Sequence, residues 1–220
     1  MPPKNQSPSP LWKMPPLSEA EADMDVVHTP ASDLEIQLFD GDEDMVKQQV
    51  SNVKIYGEYG VGHSTKWLFQ TTDAKIFGVD SDARWVLSLQ KACHHSDRLN
   101  LRHCDIGHVR NWGWPVDYAA RENYSTYTDA WWREGLKPDL VLIDGRFRVC
   151  SFLTSLKYAK PGTIIIFDDY FSRPEYHLVE EFLKPTDKCG RQALFISTAD
   201  VAQHCATLDR AIDRFQFVKE

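Results

Sequence analysis

The fold of this chain is decided by the stretch VKIYGEYGVGHST, residues 53–65. A short β-type run at 53–57 is followed by Gly60 and Gly62, and helical composition begins at Ser64. A strand, a glycine turn and a helix in that order predict the first unit of an α/β sheet. Glycine supplies the backbone freedom that a sharp strand-to-helix turn requires.

The same alternation continues along the chain. Further β-type runs lie at 75–79, 99–103, 140–143, 163–167 and 193–196, and helices are predicted at 64–70, 83–93, 149–159, 175–183 and 200–212. Strands that alternate with helices predict a Rossmann-like, doubly wound, mostly parallel sheet with helices on both faces. The apolar runs LVLI and TIIIF are typical of central strands that are buried on both sides.

Composition divides the chain into two parts. Residues 1–32 are rich in Pro, Ser and acidic residues, which predicts a disordered tail, whereas residues 33–220 are predicted to form one domain. Within that domain the alternation fails over 105–138. The many Trp and Tyr residues of this segment predict a long aromatic loop that either covers the site as a lid or packs down on the domain.

The net charge of −7 is concentrated near the beginning of the chain. Ten acidic residues and neither Lys nor Arg lie between Leu17 and Asp44, so the remainder is nearly neutral. It has no basic face of the kind that general nucleic-acid binding requires, and no apolar run that could span a membrane. Five scattered cysteines without close pairs are typical of a reduced protein. We therefore expect a cytoplasmic location without nucleic-acid or membrane partners.

The block Glu58-Tyr59-Gly60-Val61-Gly62 resembles the first motif of class I S-adenosylmethionine-dependent methyltransferases, an acidic residue followed by G-x-G. The resemblance extends through most of residues 53–198 and implies that Glu58, Gly60 and Gly62 bind S-adenosylmethionine. A dinucleotide fingerprint would have a third glycine where this chain has Thr65, and Glu58 would repel a diphosphate. NAD is therefore the weaker interpretation, and a purely structural turn is a further alternative.

Two more acidic residues follow the next predicted strands. Asp80 comes eighteen positions after Gly62, close to the spacing of about 20 at which an acidic residue binds the ribose in Rossmann-like folds. Its alternative role is a helix N-cap. Asp105 resembles the family position that meets the adenine amino group, and its alternative role is to begin a turn.

Three carboxylates follow the two most apolar strands. Asp144 comes after 140–143, and Asp168 and Asp169 come after 163–167. Neighbouring strands would bring these candidate catalytic residues together, where they would repel one another unless they bind a cation or share a proton. The arrangement resembles that of metal-dependent O-methyltransferases of the catechol type, which implies a divalent cation such as magnesium on these three residues. Alternatively, Asp144 is a general base, or all three only form turns.

The block DGRFRV at 144–149, together with NWGWP at 111–115, is similar to a group of methyltransferase-like proteins that share the first block. Arg146 and Arg148 could clamp a carboxylate or phosphate of the acceptor, because guanidinium offers a planar fork to an anion. The alternative is an internal salt bridge to Asp144 or Asp168.

The resemblance implies methyl transfer from S-adenosylmethionine but names no substrate. Because neither a basic face nor a known nucleic-acid or peptide motif is visible, we expect a small-molecule acceptor, which can be anionic. Methyl transfer mainly requires that donor and acceptor be aligned, so few catalytic side chains are compulsory. Two alternatives remain open at this point. One is a methyltransferase-like binding module without catalysis, and the other is a nucleotide-binding or NAD-binding enzyme on the same fold.

Overall fold

The computed structural model describes residues 37–39, 41–200 and 205–220. The predicted tail at 1–32 lies outside the described residues, as does part of the predicted helix at 200–212. The α-helices are α1 (Asp44–Gln49), α2 (His63–Thr71), α3 (Ala83–Ala92), α4 (Tyr124–Asp129), α5 (Arg148–Tyr158) and α6 (Cys205–Phe215). The strands are β1 (Ile55–Tyr59), β2 (Lys75–Asp80), β3 (Leu99–His103), β4 (Val109–Arg110), β5 (Trp114–Pro115), β6 (Leu140–Ile143), β7 (Ile164–Phe167), β8 (Asp187–Cys189) and β9 (Gln192–Ile196).

Seven strands form one sheet in the order β3-β2-β1-β6-β7-β9-β8. The five strands from β3 to β7 pair in parallel, which confirms the predicted Rossmann-like, mostly parallel sheet. β9 runs antiparallel to both of its neighbours. Its pairing with β8 has a local reason, because Gly190 and Arg191 join the two strands as a two-residue hairpin, and such a short connection allows only antiparallel pairing. The short, polar β8 was not predicted from the sequence, since its residues carry no apolar alternation.

Both faces of the sheet are covered. Successive side chains of a strand point to opposite faces, so Leu140 and Leu142 pack in the apolar cluster that includes α1 and α2. Val141 and Ile143 pack instead with α4, α5 and α6. The burial of LVLI on both sides is the reason for its uninterrupted apolar sequence. Among the described residues, no helix is long and apolar enough to cross a membrane.

The segment 105–138, which the sequence analysis treats as a long loop, is built from short elements. β4 and β5 pair as an antiparallel ribbon, and α4 is followed by a 3₁₀ turn at Ala130–Glu134. The side chains of α4 and the 3₁₀ turn that pack into the core are Tyr124, Tyr127, Trp131 and Trp132. Trp112, at the tip of the ribbon, is by contrast 82% exposed. The aromatic residues therefore divide into a group that holds the segment on the sheet and a group at the surface.

Candidate functional site

The candidate site lies where four neighbouring parallel strands end. β2, β1, β6 and β7 end in register across the sheet, so the loops that follow them begin at one edge. Gly60, Asp80, Asp144 and Asp168 stand at these four ends. The carboxyl edge of a parallel sheet is where α/β proteins place ligands, and the topology has brought the predicted residues to that edge.

The glycine turn after β1 is held against the loop after β6. Gly60 has a φ of +84°, and a Cβ at this position would lie 2.5 Å from the backbone oxygen of Asp144. Its N–H donates to the carbonyl of Val79 at 2.9 Å. Gly62 differs, because a Cβ there would meet nothing within 4 Å. Gly60 is thus required by backbone packing, whereas Gly62 borders open space at the beginning of α2.

Glu58 lies beneath this turn and is fully buried. Its carboxylate accepts hydrogen bonds from the hydroxyls of Ser64 and Thr65, the latter at 2.6 Å. The Thr65 hydroxyl oxygen also accepts the N–H of Gly62 at 2.9 Å. Burial raises the pKa of Glu58 to about 7, although the two hydroxyl donors oppose that rise. Thr65 therefore connects Glu58 to the turn. This contact explains why the chain has threonine at the position where a dinucleotide fingerprint has its third glycine.

Asp80 connects the ends of β1 and β2. Its carboxylate accepts the N–H of Val61 at 2.9 Å and the N–H of Asp82 at 2.7 Å. Only 8% of the residue is exposed, and burial raises its pKa to about 6. The helix α3 is capped by Asp82, which accepts the N–H of Arg84 at 2.9 Å. The alternative role of Asp80 as the N-cap of that helix is therefore wrong.

The ribbon of β4 and β5 lies over Asp80. The Ser81 hydroxyl donates to the carbonyl of Gly113 at 2.8 Å. A Cβ on Gly113 would lie 3.6 Å from Oδ1 of Asp80. These contacts of a segment far along the chain could not be read from the sequence around Asp80.

Asp105 follows β3 and takes no part in the contacts of Glu58 and Asp80 described above. Its exposed carboxylate accepts the N–H of Gly107 at 2.9 Å, and its carbonyl accepts the side-chain amide of Asn123 at 2.9 Å. In the described structure it makes a local turn, one of the two roles that the sequence allows.

Asp144, Asp168 and Asp169 do converge, and a guanidinium lies between them. Arg148 places its Nη2 3.0 Å from Asp144, and its Nη1 lies 3.0 Å from Asp169 and 3.9 Å from Asp168. Arg148 also donates to the carbonyls of Gly145 at 3.0 Å and Asp168 at 2.8 Å. The predicted repulsion among the carboxylates is thus relieved by an internal cation.

Further donors from the loop after β7 and the beginning of β9 complete this cluster. Arg191 contacts Asp168 at 2.8 Å and Asp169 at 3.3 Å, and the Gln192 amide donates to Asp168 at 3.0 Å. Arg173 reaches Asp169 at 3.3 Å. The sequence analysis missed these donors. Their only signal in the sequence is that Arg191 and Gln192 directly precede the apolar run at 193–196, and this run pairs with β7, after which Asp168 and Asp169 follow.

The two arginines of the DGRFRV block have different surroundings. Arg148 forms the internal salt bridges that were its alternative role, whereas Arg146 lies 5.2 Å from the ring centre of Trp114. Burial raises the pKa of Asp144, and the nearby charges of Asp168 and Asp169 act in the same direction against the pull of Arg148. The site thus contains a carboxyl group that holds its proton more tightly than usual, and Arg146 forms no ion pair with it in the described structure.

The carboxylate cluster does not fit a divalent cation. Its oxygens accept from Arg148, Arg191 and Gln192, and no group of three or more His, Cys, Asp or Glu side chains within the described ranges is arranged to hold a metal ion. Magnesium requires several free oxygen ligands in near-octahedral geometry. The guanidinium of Arg148 stands among the oxygens that such an ion would need.

The chain is similar to a methyltransferase-like protein from Silicibacter pomeroyi of known structure. The two are 31% identical with a TM-score of 0.66, and the alignment covers 77% of this chain and 92% of that chain. More remote is the N-methyltransferase NodS from Bradyrhizobium japonicum in complex with S-adenosyl-L-homocysteine, at 12% identity and a TM-score of 0.46 over 76% of this chain and 93% of that chain. No family model and no curated protein matches the sequence.

Proposed function

This chain belongs to the family of methyltransferase-like proteins, and from that premise we propose that it binds S-adenosylmethionine and transfers its methyl group to a small-molecule acceptor. The observation that carries the proposal is the glycine turn tied to Asp80 at the carboxyl edge of the sheet. The Asp144–Val149 block supports a place in the subgroup that shares DGRFRV.

The residues present fit this cofactor. Gly62 leaves space at the beginning of α2, and Asp80 offers a carboxylate at the end of β2, where it accepts the N–H of the neighbouring Val61. In our proposal Gly60 and Gly62 form the floor of the cofactor-binding site, and Asp80 accepts hydrogen bonds from the ribose hydroxyls. Asp105 lies at the end of this site that binds the adenine. Glu58 acts as a positioning residue, because it is fully buried beneath the turn and its oxygens accept from the hydroxyls of α2. Thr65 fits the NAD alternative less well, since its hydroxyl is engaged by Glu58.

S-adenosylmethionine supplies an electrophilic methyl group on a sulfonium. The chain must align an acceptor with that group and remove a proton where the acceptor carries one. In our proposal Asp144 is the general base, because its raised pKa makes it a stronger proton acceptor near neutral pH than an ordinary carboxylate. Asp168 and Asp169 support it by fixing Arg148 and hence the position of Asp144.

The cofactor assignment is tested by calorimetric titration with S-adenosylmethionine, S-adenosylhomocysteine and NAD. We expect binding of the first two, and we expect Asp80→Ala to weaken it by about tenfold or more, because a hydrogen bond to a charged group contributes roughly 1.5–3 kcal/mol. The matched control is Asp82→Ala, which removes the α3 cap but no proposed ribose acceptor. Preference for NAD, or equal affinity in the Asp80 variant, would contradict the assignment.

A metal requirement is tested independently of any acceptor. Because arginines occupy the cluster, we expect no saturable binding of manganese at millimolar concentration, and cofactor affinity that is indifferent to EDTA. The control is Asp144→Asn. A manganese site in the wild-type protein that disappears in this variant would restore the magnesium mechanism that the sequence implied.

A methyltransferase-like binding module without catalysis is the second candidate function, since fold alone does not imply catalysis. Turnover separates the two, with S-adenosylhomocysteine release measured against a panel of small acceptors. Cofactor binding without formation of S-adenosylhomocysteine in the presence of any acceptor would favour the binding module.

A further inference from the structure

Arg146 is a buried arginine whose guanidinium forms no ion pair with a carboxylate of the described residues. The residue is 8% exposed, and its buried Nε donates no hydrogen bond. Within the described part of the chain its guanidinium forms no ion pair, whereas Arg148, two positions on, reaches three carboxylates. A buried charge that lacks a partner is costly, and proteins retain such groups mainly at functional positions.

Among the described residues, no carboxylate oxygen lies within ion-pair distance of the Arg146 guanidinium. Its guanidinium lies 5.2 Å from the ring centre of Trp114, and its backbone N–H donates to the Tyr127 hydroxyl at 3.1 Å. Burial and the charge of Arg148 lower the pKa of Arg146 from its usual value. The carboxyl of Glu220 acts on both arginines, but it accepts its hydrogen bond from the backbone of Val149 at 2.9 Å.

The position of Arg146 places it at the proposed methyl-transfer site. It directly follows Gly145, where a Cβ would lie 2.6 Å from the backbone nitrogen of Gly60. The glycine turn and the loop that carries Arg146 are therefore in contact. Trp114 belongs to the ribbon whose Gly113 accepts from Ser81 beside Asp80. The same ribbon thus covers both Asp80 and Arg146.

We propose that Arg146 binds an oxyanion of the methyl acceptor, a carboxylate or a phosphate. This inference rests on the proposed function and defines its substrate class. A guanidinium that stacks on an aromatic face keeps its donors in its own plane, where a planar or tetrahedral oxyanion can accept two of them. Arg148 is excluded as the binding residue, because its donors are already engaged by Asp144, Asp168 and Asp169.

The probes are inorganic phosphate and acetate, each compared with chloride at equal ionic strength. Thermal unfolding is recorded for the protein alone and with S-adenosylhomocysteine, because a ligand that binds the folded state raises the melting temperature saturably. We expect one of the two oxyanions to raise it above the chloride reference, and the active probe identifies the class. Arg146→Met should lower the affinity of the protein for that anion by about tenfold or more.

The matched control is Arg110→Met. Arg110 also lies over Trp114, at 5.5 Å, but it is exposed, so its loss should leave anion affinity within about twofold. Without anion, Arg146→Met should melt no lower than wild type, because it removes a buried charge that forms no ion pair with the described residues and keeps an apolar side chain against Trp114.

Three results would overturn the inference: no oxyanion effect in wild type, undiminished affinity in Arg146→Met, or a melting temperature of that variant well below that of Arg110→Met. Failure of the proposed function is distinguishable from these results. It would be seen as an absence of S-adenosylhomocysteine binding while the oxyanion effect persists in the protein alone.

Discussion

Arg148→Met is expected to lower the free energy of unfolding by about 3–5 kcal/mol, the range for breaking a buried ion pair from one side. The variant leaves Asp144, Asp168 and Asp169 close together without the cation that lies between them. It also leaves two backbone carbonyls without their donors. Denaturant unfolding at constant m-value measures the loss. Because protonation removes the repulsion, part of the stability should return as the pH is lowered.

The matched control for this experiment is Arg173→Met. Among the described carboxylates Arg173 pairs with Asp169 alone, and it donates weakly to the Tyr176 hydroxyl at 3.3 Å. Its side chain is 38% exposed, so we expect a change of about 1 kcal/mol or less. The double variant Arg148→Met with Asp144→Asn should recover part of the loss, since a neutral amide adds no repulsion to Asp168 and Asp169 at any pH. Equal, small effects of Arg148→Met and Arg173→Met would show that the cluster does not depend on the central guanidinium.

Gly60→Ala is expected to abolish cofactor binding and to destabilise the fold by about 3 kcal/mol or more, which combines left-handed strain with overpacking. The new Cβ would lie 2.5 Å from the backbone oxygen of Asp144 and 2.6 Å from Cα of Gly145. Backbone atoms cannot move aside as a flexible side chain can, so the turn itself must shift. That shift would separate the Val61 N–H from Asp80, to which it now donates at 2.9 Å.

Gly62→Ala separates an effect on cofactor binding from an effect on the stability of the fold. Its Cβ meets no atom of the described structure within 4 Å, so the melting temperature should stay close to that of wild type. The same methyl group would project into the space assigned to the cofactor and should weaken S-adenosylmethionine binding. A Gly62→Ala variant that is both stable and unimpaired in calorimetric titration would place the cofactor elsewhere.

The strands and the edge at which they end were predictable from local sequence. LVLI and TIIIF were recognised as buried strands because an apolar run needs no information from the rest of the chain. The glycine turn at residues 60–62 was predictable for an equally local reason, because the strand before it and the helix after it can be read within residues 53–65. Parallel neighbours then bring Asp80, Asp144 and Asp168 to one edge, so the location of the site followed from the order of the elements.

The chemistry within that edge depends on long-range contacts that no local pattern encodes. Arg146 and Arg148 are two positions apart and identical in type, yet α5 directs Arg148 to the three carboxylates while Arg146 stays beside Trp114. The sequence left a magnesium site, a general base and simple turns open for these three carboxylates, and the fold places a guanidinium among them. The physical reason is that pairing among charged side chains is decided by which distant segments pack together. Here those segments are the β8–β9 hairpin, which delivers Arg191 and Gln192 to Asp168, and the ribbon at 109–115, which delivers Trp114 to Arg146.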